Sequence, residues 1–157
     1  MKNHCETHIK PINQELPLKT HCGVLVLPID AKGNVVLVSH RVPREDNWRL
    51  SMPYDDLKLG EMPEEGALRV LMEEAGYFGG QIEPLGIYRP LGGIVDMIYL
   101  FVATELVAIK RNHEMACDVH VFSLSPHGVG ELIHEGTFTQ EPGIKAFTRF
   151  YLIDGRK

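Results

Sequence analysis

The chain has 157 residues, 44% apolar and 24% charged, with 16 Lys and Arg against 21 Asp and Glu for a net charge of −5. These proportions exclude general disorder and collagen-like repeats, and the length suits one domain with a full hydrophobic core. The negative balance argues against non-specific binding to nucleic acid or anionic lipid, while leaving room for a small phosphorylated ligand held locally. Residues 1–19 are polar and broken by Pro11 and Pro17, so they read as an arm ahead of a single domain over 20–157. They contain no apolar stretch resembling a secretory signal. His21–Pro28 is apolar enough for a buried strand, Asp30–Asn34 supplies turn residues, and Asn34–His40 is its expected hairpin partner. A loop then leads to a short strand, Trp48–Met52, and a second loop runs over Pro53–Gly60. Pro63 to Ala75 is the clearest helix, with proline in its first turn and Gly76 just past its end. Gln81–Arg89 and Asp96–Thr104 are expected strands around the turn Pro90–Gly93, and Asp118–Ser123 alternates as a strand does. Helices are expected from Ser125-Pro126 to His134 and near Pro142–Leu152. Strands mixed with three helices predict an α/β or α+β sandwich. No apolar run approaches the roughly twenty residues that span a bilayer. Three scattered cysteines give no disulfide framework, which points to a reducing cytoplasm.

The 63–75 helix carries most of the chemistry. Taking Leu68 as reference and stepping about 100° per residue, Leu71, Met72 and Ala75 fall within about 60° and predict the core-facing stripe. Glu73, Val70 and Glu74 fall near 140°, 200° and 240° by the same arithmetic, on the opposite face. Arg69 stands four residues before Glu73 and can pair with it. Two glutamates on a helix face are most often solvated charges. Here they lie in the last turn, where the helix dipole disfavours anions, and they follow a loop carrying Asp55, Asp56 and Glu61. Several carboxylates near one another suit a hard divalent cation such as Mg²⁺, which can neutralise a pyrophosphate and activate water.

From Trp48 to Tyr77 the sequence resembles the Nudix box, with the Trp-x-Leu-x-x-Pro lead-in (Trp48, Leu50, Pro53) that precedes it. Glu61 matches the isolated glutamate of that pattern. Arg69, Leu71, Glu73, Glu74, Gly76 and Tyr77 match its second half in register. The resemblance implies a Nudix-type α/β/α sandwich with a mixed β-sheet, Mg²⁺ or Mn²⁺ as cofactor, and hydrolysis of a nucleoside diphosphate linked to another group. Glu61, Arg69, Glu73 and Glu74 are its implied catalytic residues, and Glu73, Glu74 and Asp55 the candidate metal ligands. Two positions depart from the pattern: Asp55 stands at its first glycine, and Val70 replaces the first glutamate of its Arg-Glu pair. Valine supplies no oxygen, so metal affinity and turnover should fall. Asp55 or Asp56 is a candidate replacement ligand; an acidic surface turn is the plainer alternative.

Over residues 20–153 the pattern is similar to the ADP-ribose and nucleoside diphosphate sugar pyrophosphatases. That likeness makes Arg41 and Arg89 candidates to hold phosphate and Glu135 or Glu141 candidates for the general base. The expected partner is a small nucleotide, with no specific nucleic-acid binding and no membrane. The domain-swapped dimer of longer relatives is not carried over, and a homodimer of another build stays open. The competing expectation is a catalytically silent Nudix domain that binds a nucleotide or a protein. Cys5 and His8 lack a second pair for zinc, and Cys22 and Cys117 read as small core residues.

Overall fold

The structure is a computed structural model that describes residues 21–42, 44–45, 47–109, 118–153 and 155. The expected arm, the Cys5–His8 pair and Cys117 lie outside these residues. Among the described residues the strands are β1 (Cys22–Pro28), β2 (Val35–Val42), β3 (Asn47–Ser51), β4 (Tyr54–Asp56), β5 (Tyr77–Tyr88), β6 (Met97–Ala108) and β7 (Val119–Leu124). The helices are α1 (Pro63–Val70), α2 (Pro126–His134) and α3 (Glu141–Thr148). α1 and α3 each run on into a π-helical turn, Leu71–Ala75 and Arg149–Ile153. Among the described residues no helix is long and apolar enough to cross a membrane.

The strands form two sheets, ordered β4-β1-β6-β5 and β3-β2-β7. The first is mixed: β1 runs parallel to β6, while β4 against β1 and β5 against β6 are antiparallel. β1 and β2 are not the hairpin expected from their sequence. They touch at a single bridge, Ile29 to Val35, beside the Asp30–Asn34 turn, and then separate into different sheets. The reason lies in their composition. Both are buried on both faces, so each needs cover above and below rather than one partner and one wet face. Leu25, Leu27, Val35 and Leu37 point into a core closed by Val129 of α2 and by Phe147 and Phe150 at the C-terminal end. Their neighbours Val24, Val26, Val36 and Val38 point the other way, against Ala67, Val70, Leu71 and Ala75. Helices on both sides of β-structure give the expected α/β/α sandwich.

Two further expectations are corrected. The segment Pro53–Gly60 is not all loop: Tyr54–Asp56 forms β4, paired through Leu25↔Tyr54, Val24↔Asp55 and Gly23↔Asp56. The buried face of α1 is also turned from the one the Leu68 reference implies. Val70 is 0% exposed, whereas Met72 is 46% exposed, so the face centres on Leu71 with Ala67, Val70 and Ala75. Measured from Leu71, Glu74 falls about 60° away, between Val70 and Ala67 rather than opposite the core. A branched valine packs among the valines of β1 and β2, and the unbranched Met72 is the side chain left to solvent.

Candidate active site

The site is assembled where α1 crosses the end of β4. Pro63 starts the helix, and the Met62 N–H donates to the Glu65 carboxylate at 3.1 Å, satisfying one donor at the N-terminal end. Gly76 ends it in the left-handed conformation (φ 72°), returning its N–H to the Met72 carbonyl. The turn lets the chain leave directly into β5.

Arg69 is the hub. Its Nε donates to Glu61 Oε1 at 2.7 Å and its Nη2 to Glu61 Oε2 at 3.0 Å, a fork-on-carboxylate pair. Nη1 donates to Asp55 Oδ2 at 2.8 Å and Glu73 Oε2 at 3.1 Å, and Nη2 also reaches the Asp56 carbonyl at 3.0 Å. The Arg69 and Glu61 side chains are each only 12% exposed. The Arg69 hydrogen bonds, with the Lys58 N–H donated to Oε2 at 2.9 Å, hold the Glu61 carboxyl down at about 2. Lys58 also brings its Nζ within 3.9 Å of Glu73 Oε1. One guanidinium thus ties the loop, β4 and two turns of α1 into a single unit.

Glu74 is held differently. It is half-buried, and its Oε2 accepts the Tyr54 N–H at 3.0 Å. Burial pushes its carboxyl up to about 7; the Tyr54 N–H opposes that rise, and the charges of Asp55 and Glu73 add to it. Two glutamates adjacent in sequence therefore differ in kind: Glu73 is exposed and ion-paired, Glu74 is partly desolvated and shares its proton near neutrality.

The oxygen donors Asp55, Glu73 and Glu74 suit a hard divalent cation in kind. In number they fall short of a closed cage. Among the described residues no three His, Cys, Asp or Glu side chains converge at ligand spacing, and Val70 contributes only hydrocarbon to the core. Water or substrate oxygens would complete the shell.

The remaining candidates are more dispersed. Arg89 follows β5 and is exposed. The pairings Tyr88↔Ile98, Ile98↔Gly23 and Gly23↔Asp56 put it at the far end of a row three strand spacings, about 14 Å, from Asp56. Arg41 lies exposed in the second sheet, opposite Trp48. Glu141, at the start of α3, accepts the Tyr88 hydroxyl at 2.6 Å. Glu135 lies at the C-terminal end of α2 and takes no part in the Arg69 network. Gln140 is a site residue that no motif or spacing points to. Its side-chain oxygen accepts the Met52 N–H at 2.8 Å and its amide donates to the Met52 carbonyl at 3.1 Å, across 88 positions of chain. The signal is tertiary, and a lone glutamine in a loop does not carry it.

A guanidinium-locked loop and helix bearing paired glutamates, set in an α/β/α sandwich, define a Nudix-type domain. The NUDIX domain family matches residues 19–141, and the chain belongs to that family. It is 28% identical over 100 residues to the ADP-ribose pyrophosphatase of Bacillus subtilis (strain 168), across 63% of this chain and 54% of that protein. The chain thus spans about half the length of that relative. Among solved structures it resembles an ADP compounds hydrolase, with a TM-score of 0.72 at 16% identity over 87% of this chain and 76% of that one. It also resembles a NUDIX hydrolase from Nitrosomonas europaea, with a TM-score of 0.68 at 15% identity over 88% of this chain and 92% of that one. At such identities these structures speak to the fold.

Proposed function

We propose that the protein hydrolyses the diphosphate bond of a nucleoside diphosphate linked to a second moiety, in the class of ADP-ribose and sugar nucleotides. The observation that carries this reading is Glu74: a half-buried carboxyl at about 7, anchored on the Tyr54 N–H and flanked by Glu73 and Asp55. A carboxylate fixed on the backbone beside two others is an oxygen donor already in place for a divalent cation. Family membership and the likeness to an ADP-ribose pyrophosphatase support the reaction class. Water adds to one phosphorus, the bridging P–O bond breaks, and a nucleoside monophosphate leaves with the phosphorylated second moiety.

Glu73, Glu74 and Asp55 are the carboxylates that would share Mg²⁺ or Mn²⁺ with water and substrate oxygens; when bound, the ion would neutralise phosphate charge and lower the pKa of water. Arg69 keeps Asp55 and Glu73 facing each other, and Glu61 keeps Arg69 in place. Glu135 and Glu141 are the candidates to take the proton of the attacking water. Arg41 and Arg89 are the cations offered to the distal parts of the substrate.

The experiment is a hydrolysis panel of ADP-ribose, sugar nucleotides, dinucleotides and nucleoside triphosphates with Mg²⁺ or Mn²⁺, run on the native protein and on Glu74→Gln. The expected result is turnover of a diphosphate-linked nucleotide that disappears in the variant. Turnover unchanged in Glu74→Gln overturns the assignment of Glu74. The burial of Val70 favours a second reading, a Nudix domain that binds its nucleotide without cleaving it. Binding of the same nucleotides with no product from any of them would establish that reading in place of the first.

A further inference from the structure

We infer that the cleft bordered by β3 and the segment 136–140 is the seat of the nucleobase, with Trp48 as the stacking surface and a purine as its occupant. This inference rests on the proposed nucleotide substrate and adds where its base sits. The cleft has a volume of about 700 Å³, and its walls include Trp48, Asn47, Ser51, Thr137, Thr139 and Gln140. That is room for a nucleoside, with hydroxyl and amide groups at hand for the edges of a ring.

Trp48 is placed for stacking. It stands on β3 opposite Arg41, on the face of the sheet that carries Leu50 and Phe122 into the core, one step beyond where that core ends. Trp48 is 42% exposed. One neighbour is already a flat ring: His120 lies with its centroid 4.9 Å away and tilted by 35°. The Asn47 side-chain oxygen accepts the Trp48 N–H at 2.9 Å, fixing the backbone from which the indole projects. A large aromatic surface already packed on one ring and bordering a cleft with both apolar and hydrogen-bonding walls takes a base by stacking, and a purine offers more π-area than a pyrimidine.

The connection to the acidic cluster is short and rigid. From Trp48 to Tyr54 is six residue steps, at most about 20 Å of chain. Gln140 pins the middle of that path at Met52, and Tyr54 ends it on Glu74. The backbone that carries the stacking surface and the backbone that anchors Glu74 are thus at most about 20 Å apart, with Arg41 paired opposite Trp48.

Trp48 is the only tryptophan in the sequence, so its fluorescence reports this site alone. Titration of the native protein with ADP, in EDTA to stop turnover, should quench the emission saturably, and ribose 5-phosphate or inorganic pyrophosphate should leave it unchanged. Calorimetry with ADP should show affinity reduced about ten- to hundredfold in Trp48→Ala and largely kept in Trp48→Phe, which retains a stacking ring. The circular dichroism of both variants should match the native protein. If ADP binds but neither quenches Trp48 nor loses affinity in Trp48→Ala, the base site is overturned while the proposed hydrolysis stands. If quenching and the loss in Trp48→Ala are seen but no substrate is cleaved, the base site stands and the hydrolytic reading falls. Absence of ADP binding in the native protein overturns the base site.

Discussion

Arg69 and Glu61 meet edge to edge, with two parallel N–H···O bonds of 2.7 and 3.0 Å and both side chains almost entirely covered. Removing either member strands the other in a site that water scarcely reaches. Arg69→Ala should therefore cost about 3 kcal/mol of unfolding free energy, and Arg69→Lys, which keeps charge but not the fork, about half of that. Urea denaturation at pH 7 measures both. Equal, negligible losses would mean that the pair does not join the loop to the helix.

The same pair sets an acid limit. Glu61 titrates at about 2 in the fold against an ordinary 4.5, so the folded state prefers its ionised form. The stabilisation is complete above pH 4.5 and is lost as pH falls from there through 2. Glu61→Gln should start less stable at neutral pH and show a shallower decline over that window. The check is a series of thermal melts on both proteins between pH 2 and 6; parallel curves would refute the linkage.

Glu74 runs in the opposite direction. Its carboxyl rises from 4.5 to about 7 on folding, so the protonated form is the one the fold favours. Its contribution is full below pH 4.5 and is lost as pH rises through 7. Glu74→Gln keeps an acceptor for the Tyr54 N–H without a charge, and should be more stable than the native protein at pH 8. After allowance for its partial exposure, the gain is about 1–2 kcal/mol. Melting temperatures of the two proteins should converge near pH 4.5. A variant less stable than native at pH 8 would show that Glu74 is not desolvated as described. Stability gained as activity is lost is the pattern expected where a charge is kept for chemistry.

How much of this was legible in the sequence depends on the distance over which each contact is made. Arg69 to Glu73 is one helical turn, and Glu61 to Arg69 crosses only the start of the same helix, so spacing alone anticipates both. Glu74 is different, since its anchor is a backbone N–H on a strand, β4, that exists only because β1 is there to pair with it. Composition of Tyr54-Asp55-Asp56 gives no hint of a strand. The orientation of α1 departs from the helical-wheel expectation for a related reason. Leu68 and Met72 are apolar as Val70 is, and only the packed valines of β1 and β2 decide which face turns inward. The β1–β2 junction likewise has good turn residues, and what pulls the strands apart is burial on both faces.

Gln140 offers a test of whether the strand exit matters to the site. Its amide meets both the N–H and the C=O of Met52, whose side chain is completely buried. Gln140→Leu would leave two backbone groups without these partners, at a cost of about 2 kcal/mol. Because Tyr54 lies two residues on, the substitution should also loosen the Glu74 anchor. Amide hydrogen exchange at Tyr54 is the specific readout: faster exchange is expected in Gln140→Leu, and protection equal to native would separate the two features.

Val70→Glu restores the carboxylate that the Nudix pattern has at this position, and the structure argues that restoration is not free. Val70 has no exposed surface and packs with Ala67, Leu71 and the valines of both central strands. A glutamate there must either lie ionised in hydrocarbon, take up a proton, or turn α1 enough to reach the surface. The first two cost several kcal/mol, and the third breaks the packing of Ala67 and Ala75. The expected outcome is a protein less stable by about 3 kcal/mol or more, with no gain in turnover of ADP-ribose with Mg²⁺. Chemical denaturation and a product assay read the two parts separately. A variant as stable as the native protein that also hydrolyses faster would show that this helix can rotate to present a third carboxylate, and that the valine is a lesion in the site rather than a settled part of the core.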